Sequence, residues 1–176
     1  MKIYYREKSG GIEILRCFGM EGRVEIPGMI ENKLVISAAP YAFSSHMDEK
    51  EELKNASLWE VSDGLGFGRE EHVLAGNDVE EIVFPHALKE IGRYIFYGCG
   101  NLKKLEFSDS LMQIGCGAFT GCHALEKLTV HMRQGKKSGV KEMLGEMWQR
   151  IDVNFRYEHE EDSIEKPDMM YCRENK

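Results

Sequence analysis

The sequence predicts an α/β solenoid, a domain in which short coils of chain stack on one another. The main observation is an internal repeat: residues 82–104 align with residues 105–127 at an offset of 23 residues, with nine identical positions. A period of this length is typical of solenoids, because one coil cannot bury its own apolar face. The length of 176 residues and the 42% hydrophobic content suffice for one folded domain.

The positions that repeat are small or apolar, and packing explains each of them. We expect equivalent residues to form buried columns, because stacked strands lie about 4.8 Å apart. The columns are Ile82, Leu105 and Leu128; Phe84, Phe107 and Val130; Phe96 and Phe119; and Cys99 and Cys122. Glycines 92 and 115 suit tight turns between them.

The first 27 residues are predicted to be an N-terminal β-hairpin cap. Two apolar segments, 3–6 and 12–18, flank Ser9-Gly10-Gly11, which favours a hairpin turn, and a third short strand covers 23–26. An open solenoid needs such an element to cover the apolar face of its first coil.

The repeats are predicted to span 28–131, with an insertion near 44–78. Residues 24–27 parallel 82–85, and residues 41–43 parallel 117–119, which indicates a degenerate first coil with a further strand at 32–37. Within the insertion, the charged segment 48–54 is predicted to be an exposed helix and 58–61 a strand.

Residues 132–157 are predicted to form a C-terminal cap, which completes a single domain over residues 1–157. One amphipathic helix with Ser138 as its N-cap is expected to cover the open end of the last coil. Its apolar stripe comprises Val140, Met143, Leu144, Met147, Trp148 and Ile151. A last strand is expected at 153–157, and the acidic tail 158–176 is predicted to be disordered.

The repeated segment resembles the BspA-type leucine-rich repeat family. The matching positions are Phe107, Leu111, Ile114, Gly115, Ala118, Phe119, Gly121, Cys122, Leu125 and Leu128. The resemblance covers residues 79–131 and, in part, 24–43. It implies a right-handed leucine-rich repeat solenoid with a parallel sheet on one face and short turns or helical segments on the other. Family members are mostly binding modules, many of them bacterial surface proteins that adhere to host or partner-cell ligands.

The candidate binding surface is the outward face of the parallel strands, because solenoids commonly bind partners on such extended faces. The alternative is that these side chains only make the sheet soluble, since surface ion pairs contribute about 0–1 kcal/mol. The candidate partner-binding residues are Glu81, Lys104 and Lys127 in one column, Val83, Glu106 and Thr129 in the next, and His131.

Other patterns fall short of a catalytic, cofactor or metal site, and the sequence predicts none. Cys116, Cys122 and His123 lack the spacing of zinc ligands. The glycines of 64–68 lack the strand and helix of a dinucleotide fingerprint, and residues 130–138 lack the first glycine of a phosphate-binding loop. The stripe of Met143, Met147 and Trp148 favours packing over partner binding.

Composition limits the remaining classes of function. A net charge of −7 disfavours a nucleic-acid partner, and no apolar stretch reaches the length of a membrane span. The chain has five cysteines without a CxxC pair, and its N-terminus is polar. Both features favour a cytoplasmic protein. Export to the cell surface would require a signal that had been removed. The oligomeric state is left open.

The leading hypothesis is a non-catalytic protein-interaction module whose sheet face or inserted segment 44–78 binds a protein partner. The first alternative is a structural or regulatory scaffold at the N-terminus of a longer protein. The second is a bacterial cell-surface adhesion protein, if the chain is exported.

Overall fold

The computed structural model describes residues 1–20, 22–61, 71–133, 139–145 and 149–158, and its regular structure consists mainly of strands in two sheets. The strands are β1 (Lys2–Lys8), β2 (Gly11–Gly19), β3 (Arg23–Glu25), β4 (Met29–Ile30), β5 (Lys33–Ala38), β6 (Ser57–Glu60), β7 (His72–Val73), β8 (Glu81–Val83), β9 (Glu90–Ile91), β10 (Lys104–Ser108), β11 (Gln113–Ile114), β12 (Lys127–Arg133) and β13 (Asp152–Glu158). The helices are α1 (Glu49–Glu52), α2 (Val140–Leu144) and a 3-10 turn, Gly76–Asp78. None of the described helices is long and apolar enough to cross a membrane.

Five parallel strands form the repeat sheet, in the order β13-β12-β10-β8-β3. Each strand begins one coil, so we number the coils 1 to 5 from β3 to β13. Leu105 pairs with Ile82 on one side and Leu128 on the other, as the 23-residue offset predicts. Val24 pairs with Ile82, which confirms that the degenerate N-terminal segment is a coil.

The chain turns at three stacked corner segments, residues 40–45 of coil 1, 93–98 of coil 2 and 116–121 of coil 3. The aromatic column predicted there is present and begins one coil earlier. The rings of Phe43 and Phe96 lie 5.9 Å apart, and those of Phe96 and Phe119 lie 5.6 Å apart. This stacking extends the aromatic core along the solenoid axis.

A second, mixed sheet lies on the opposite face, in the order β11-β9-β5-β2-β1-β6, with β4 paired to β5 and β7 to β2. In coils 2 and 3 this face carries the two-residue strands β9 and β11, which are parallel to each other. The close approach of coils explains one glycine: a Cβ on Gly115 would lie 2.2 Å from the backbone nitrogen of Arg93. The architecture is therefore a β-solenoid with few and short helices.

The N-terminal strands continue the mixed sheet beyond coil 1. β1 and β2 form the predicted antiparallel hairpin, and β2 pairs in parallel with β5. The predicted insertion adds α1, which is confirmed as an exposed helix with Asp48 as N-cap. It also adds β6 against β1 and β7 against β2. The insertion is therefore paired with the hairpin, and the chain rejoins coil 1 where the amide of Gly76 donates to the carbonyl of Phe43 at 2.8 Å.

Arg16 of β2 lies where a preceding coil would stack. Its side chain is 3% exposed, and its guanidinium donates hydrogen bonds to the carbonyls of Tyr41, Ala42 and Ser44 at 3.3, 3.1 and 2.6 Å. It also forms a salt bridge with Glu49 of α1 at 3.0 Å. Burial lowers the pKa of Arg16 from its usual value, and the Glu49 carboxylate opposes that shift.

The C-terminal region differs from the predicted single helix. α2 begins after Gly139, and it ends at Leu144 because Gly145 adopts φ = 56°. Ser138, Met147 and Trp148 lie outside the described residues. α2 is in the connection between β12 and β13, so it belongs to coil 4 and is followed by a further strand. That strand, predicted at 153–157, is confirmed as β13. The tail from 159 onward also lies outside the described residues.

Candidate functional site

The outward face of the repeat sheet presents side chains in columns, because alternate residues of each strand point to the same side. Lys104 pairs in register with Glu81 and with Lys127. Glu106 pairs with Val83 and with Thr129 in the same way. The two predicted columns therefore exist as neighbouring rows of the sheet.

The predicted site residues differ in their accessibility. Lys104 is exposed, whereas Lys127 and Val83 are half-buried. Glu81 and Glu106 expose 24% and 22% of their side chains. His131, in register with Ser108, exposes 20%. Thr129 is 1% exposed, so it lies beneath its neighbours and offers little contact area.

The two carboxylates of this face have polar partners. Nε of Arg23 lies 3.4 Å from a Glu81 carboxylate oxygen, and Nε2 of His131 lies 3.0 Å from a Glu106 oxygen. Lys104 and Lys127 differ: among the described residues, neither has a carboxylate within 4.0 Å. Two like charges therefore stand side by side in register, an arrangement that is locally unfavourable.

A groove of about 940 Å³ lies where strands of coils 1 to 4 end. Its lining includes Pro27, Pro85, Ser108 and His131 from successive coils. Met29 and Leu34, which come from the β4–β5 hairpin, form an apolar rim and are each 48% exposed. Arg133 forms a charged rim and lies 3.6 Å from the Asp109 carboxylate.

Sequence reasoning missed this groove. Ser108 and His131 share one register position, so their alignment at the strand ends was a usable signal. The contribution of Met29 and Leu34 had no such signal, because the β4–β5 hairpin has no counterpart in the other coils.

The polar groups of the groove bind one another. The hydroxyl of Ser108 donates to the backbone carbonyl of His86 at 2.7 Å. The rings of His86 and His131 lie 5.6 Å apart, edge to face. In the described part of the chain, no three His, Cys, Asp or Glu side chains come together as a metal site could require.

The repeated cysteines have the structural role that their spacing predicts. Sγ of Cys99 donates to the carbonyl of Phe43, and Sγ of Cys122 to that of Phe96, both at 3.2 Å. Burial raises the pKa of Cys99 to about 11 and that of Cys122 to about 12. These thiols are protonated at neutral pH and act as hydrogen-bond donors between coils. The glycines of 64–68 and the residues 134–138 lie outside the described residues.

Among known proteins, a family model and a solved structure are similar to this chain. Residues 70–140 match the model of the BspA type leucine rich repeat region, which has six copies. The crystal structure of the T. pallidum leucine rich repeat protein is similar at 20% identity, covering 88% of this chain and 79% of that chain with a TM-score of 0.36. No curated protein matches the sequence. Over residues 70–140, the chain is therefore similar to the BspA type leucine rich repeat region.

Proposed function

We propose that the chain is a non-catalytic protein-interaction module that binds an acidic surface of a partner protein on the outward face of the repeat sheet. The family match supports this class of function, because leucine-rich repeats in general mediate protein interactions. The seven residues named above, from Glu81 to His131, mark the proposed face.

The observation that carries the proposal is the pair Lys104 and Lys127. They are adjacent in register, and no carboxylate of the described chain lies within 4.0 Å of either. A partner carboxylate placed between them would relieve their mutual repulsion and gain two charge-assisted contacts. The neighbouring contacts Arg23–Glu81 and His131–Glu106 would border the bound carboxylate on the same face.

The test is affinity capture from a lysate of the source cells with wild type and the Lys104→Glu/Lys127→Glu variant. The matched control, Lys50→Glu/Lys54→Glu, makes the same change in net charge on the exposed α1 segment. We expect one protein to be retained by wild type and by the control and lost from the sheet variant.

Calorimetry with the purified partner then measures the loss, which we expect to be tenfold or more since two charged contacts are reversed. Equal binding by all three proteins would contradict the proposed face. A measurable intrinsic turnover assigned to this chain would contradict the non-catalytic class.

A further inference from the structure

The corner segments stack through a ladder of backbone hydrogen bonds that runs in one direction. The amides of Tyr94, Phe96 and Gly98 in coil 2 donate to carbonyls of coil 3 at 3.1, 3.0 and 3.0 Å. In coil 1, the amides of Tyr41 and Phe43 donate to carbonyls of coil 2 at 3.3 and 3.0 Å. Each corner therefore presents amides at alternate residues on one side and carbonyls on the other.

At the N-terminal end, a side chain completes this ladder. Two carbonyls of coil 1, those of Ala42 and Ser44, have no preceding coil to bind them, and the guanidinium of Arg16 donates to both. A buried group thus replaces the missing corner.

At the C-terminal end, the ladder among the described residues reaches coil 3. In the connection of coil 4, the structure describes α2 and no corner of the repeat type. Within the part of the chain that the structure describes, three amides of the last corner donate no hydrogen bond. They belong to Gly117, Phe119 and Gly121, the equivalents of the three donors of coil 2.

These amides border a cavity of about 670 Å³ whose wall is polar and apolar in roughly equal parts. Phe119 is part of that wall and is half-buried, whereas Phe43 and Phe96 are each 0% exposed because a further ring covers them. Met143 and Ile151 from the C-terminal region complete the wall. One face of the aromatic column is therefore open at this end.

The charge at the cavity is positive. Arg150 is exposed and lines it, and none of the described lining residues is acidic. Among the described residues, no carboxylate lies within 4.0 Å of the Arg150 guanidinium.

We propose that the corner of coil 3 is a docking site for an extended segment of a partner protein. The main chain of that segment supplies carbonyls at alternate residues to the amides of Gly117, Phe119 and Gly121. An apolar side chain of the segment stacks on Phe119, and a carboxylate of the segment contacts Arg150. This is main-chain recognition with side-chain selectivity, at a site separate from the repeat-sheet face.

A second copy of the chain is a poorer occupant than a foreign segment. The carbonyls that it would offer from its own coil 1, those of Ala42 and Ser44, are already bound by its Arg16. An extended segment of another protein has its carbonyls free to accept hydrogen bonds.

The first measurement is amide hydrogen exchange followed by NMR on the unliganded protein. We expect the amides of Gly117 and Phe119 to exchange at least about tenfold faster than their equivalents Tyr94 and Phe96, because the latter are hydrogen-bonded in the folded state. Equal protection would show that the last corner is already covered and would overturn the proposal.

The second measurement is a titration with a defined peptide. Residues 113–122, with both cysteines replaced by serine and one glutamate added at the end, form the probe because this segment already stacks on coil 2 through the same ladder. We expect saturable shifts of the Gly117, Phe119 and Gly121 amides. A probe whose phenylalanine is replaced by alanine is expected to bind several-fold more weakly.

Charge selectivity is tested with Arg150→Gln and the matched control Lys54→Gln, an exposed cation just after α1. The glutamate probe should bind wild type and Lys54→Gln about twofold to fivefold more tightly than a glutamine probe does, and Arg150→Gln should remove that preference. Absence of any shift at the three amides would overturn the proposal. Concentration-dependent dimerisation that protects these amides would also overturn it, since the occupant would then be a second copy.

Discussion

Replacing Arg16 with methionine should destabilise the protein strongly, because Arg16 substitutes for a missing coil. The guanidinium is 3% exposed and donates to the carbonyls of Ala42 and Ser44 at 3.1 and 2.6 Å. A buried group left without its hydrogen bond costs about 1–3 kcal/mol, so these two carbonyls give an expected loss of about 2–6 kcal/mol. That is a large part of the usual total of about 5–15 kcal/mol.

Urea unfolding followed by circular dichroism measures this loss in the free energy of unfolding. Glu49→Gln is the matched control, because the carboxylate is 40% exposed and its pair with Arg16 should contribute about 0–1 kcal/mol. Arg16→Lys should be intermediate, since one ammonium cannot reproduce the fork of the guanidinium. A loss below about 1 kcal/mol for Arg16→Met, or an equal loss for Glu49→Gln, would refute the capping role.

Three further predictions concern thiols and one glycine. In a Cys172→Ser background, Ellman's reagent should modify the exposed thiol of Cys116 in the native state and should modify Cys17 and Cys99 only after urea is added. Modification of either buried thiol before urea is added would contradict their burial. Burial raises the pKa of Cys17 and Cys99 to about 12 and about 11, above their ordinary value of 9.0. As the pH rises, these thiols therefore ionise in the unfolded chain before they ionise in the folded one. The stability that the two groups contribute should be complete below pH 9 and should decline from pH 9 to 11. In a Cys17→Ala/Cys99→Ala variant, the urea midpoint should decline less steeply over this range. Gly115→Ala should lower the free energy of unfolding by about 2–3 kcal/mol, because the added Cβ would lie 2.2 Å from the backbone of Arg93. The control is Gly28→Ala, whose Cβ meets nothing within 4 Å and which should change the free energy of unfolding by less than about 0.5 kcal/mol.

The repeat could be predicted because packing alone determines its residues. Ile82, Leu105 and Leu128 must recur at the coil length to share one column, and the register of the strands follows from that spacing. The degenerate first coil could be found for the same reason, since Val24 keeps the apolar position that pairs with Ile82.

The two ends of the solenoid could not be predicted in the same way, because contacts between distant segments determine them. Arg16 interrupts an apolar strand, which signals a special role, yet its partners are three carbonyls of another segment. The amphipathic stripe near the C-terminus suggested one helix, but Gly145 adopts a positive φ and ends it. The repeat pattern also did not predict how exposed each side chain is. Thr129 occupies an outward position of the sheet and is nevertheless buried.

The pairing of the insertion with the N-terminal hairpin has a consequence for the order of folding. Contacts between neighbouring coils join residues that are close in sequence; Asn101 and Asn77, for example, are 24 positions apart. The contact between Met1 and Val61 joins residues that are 60 positions apart. Longer loops cost more entropy to close, so we expect coils 2 to 4 to form first and serve as the template on which β1 and β6 assemble last. Slow closure of the N-terminal strands, rather than growth of the repeat, would then limit the refolding rate.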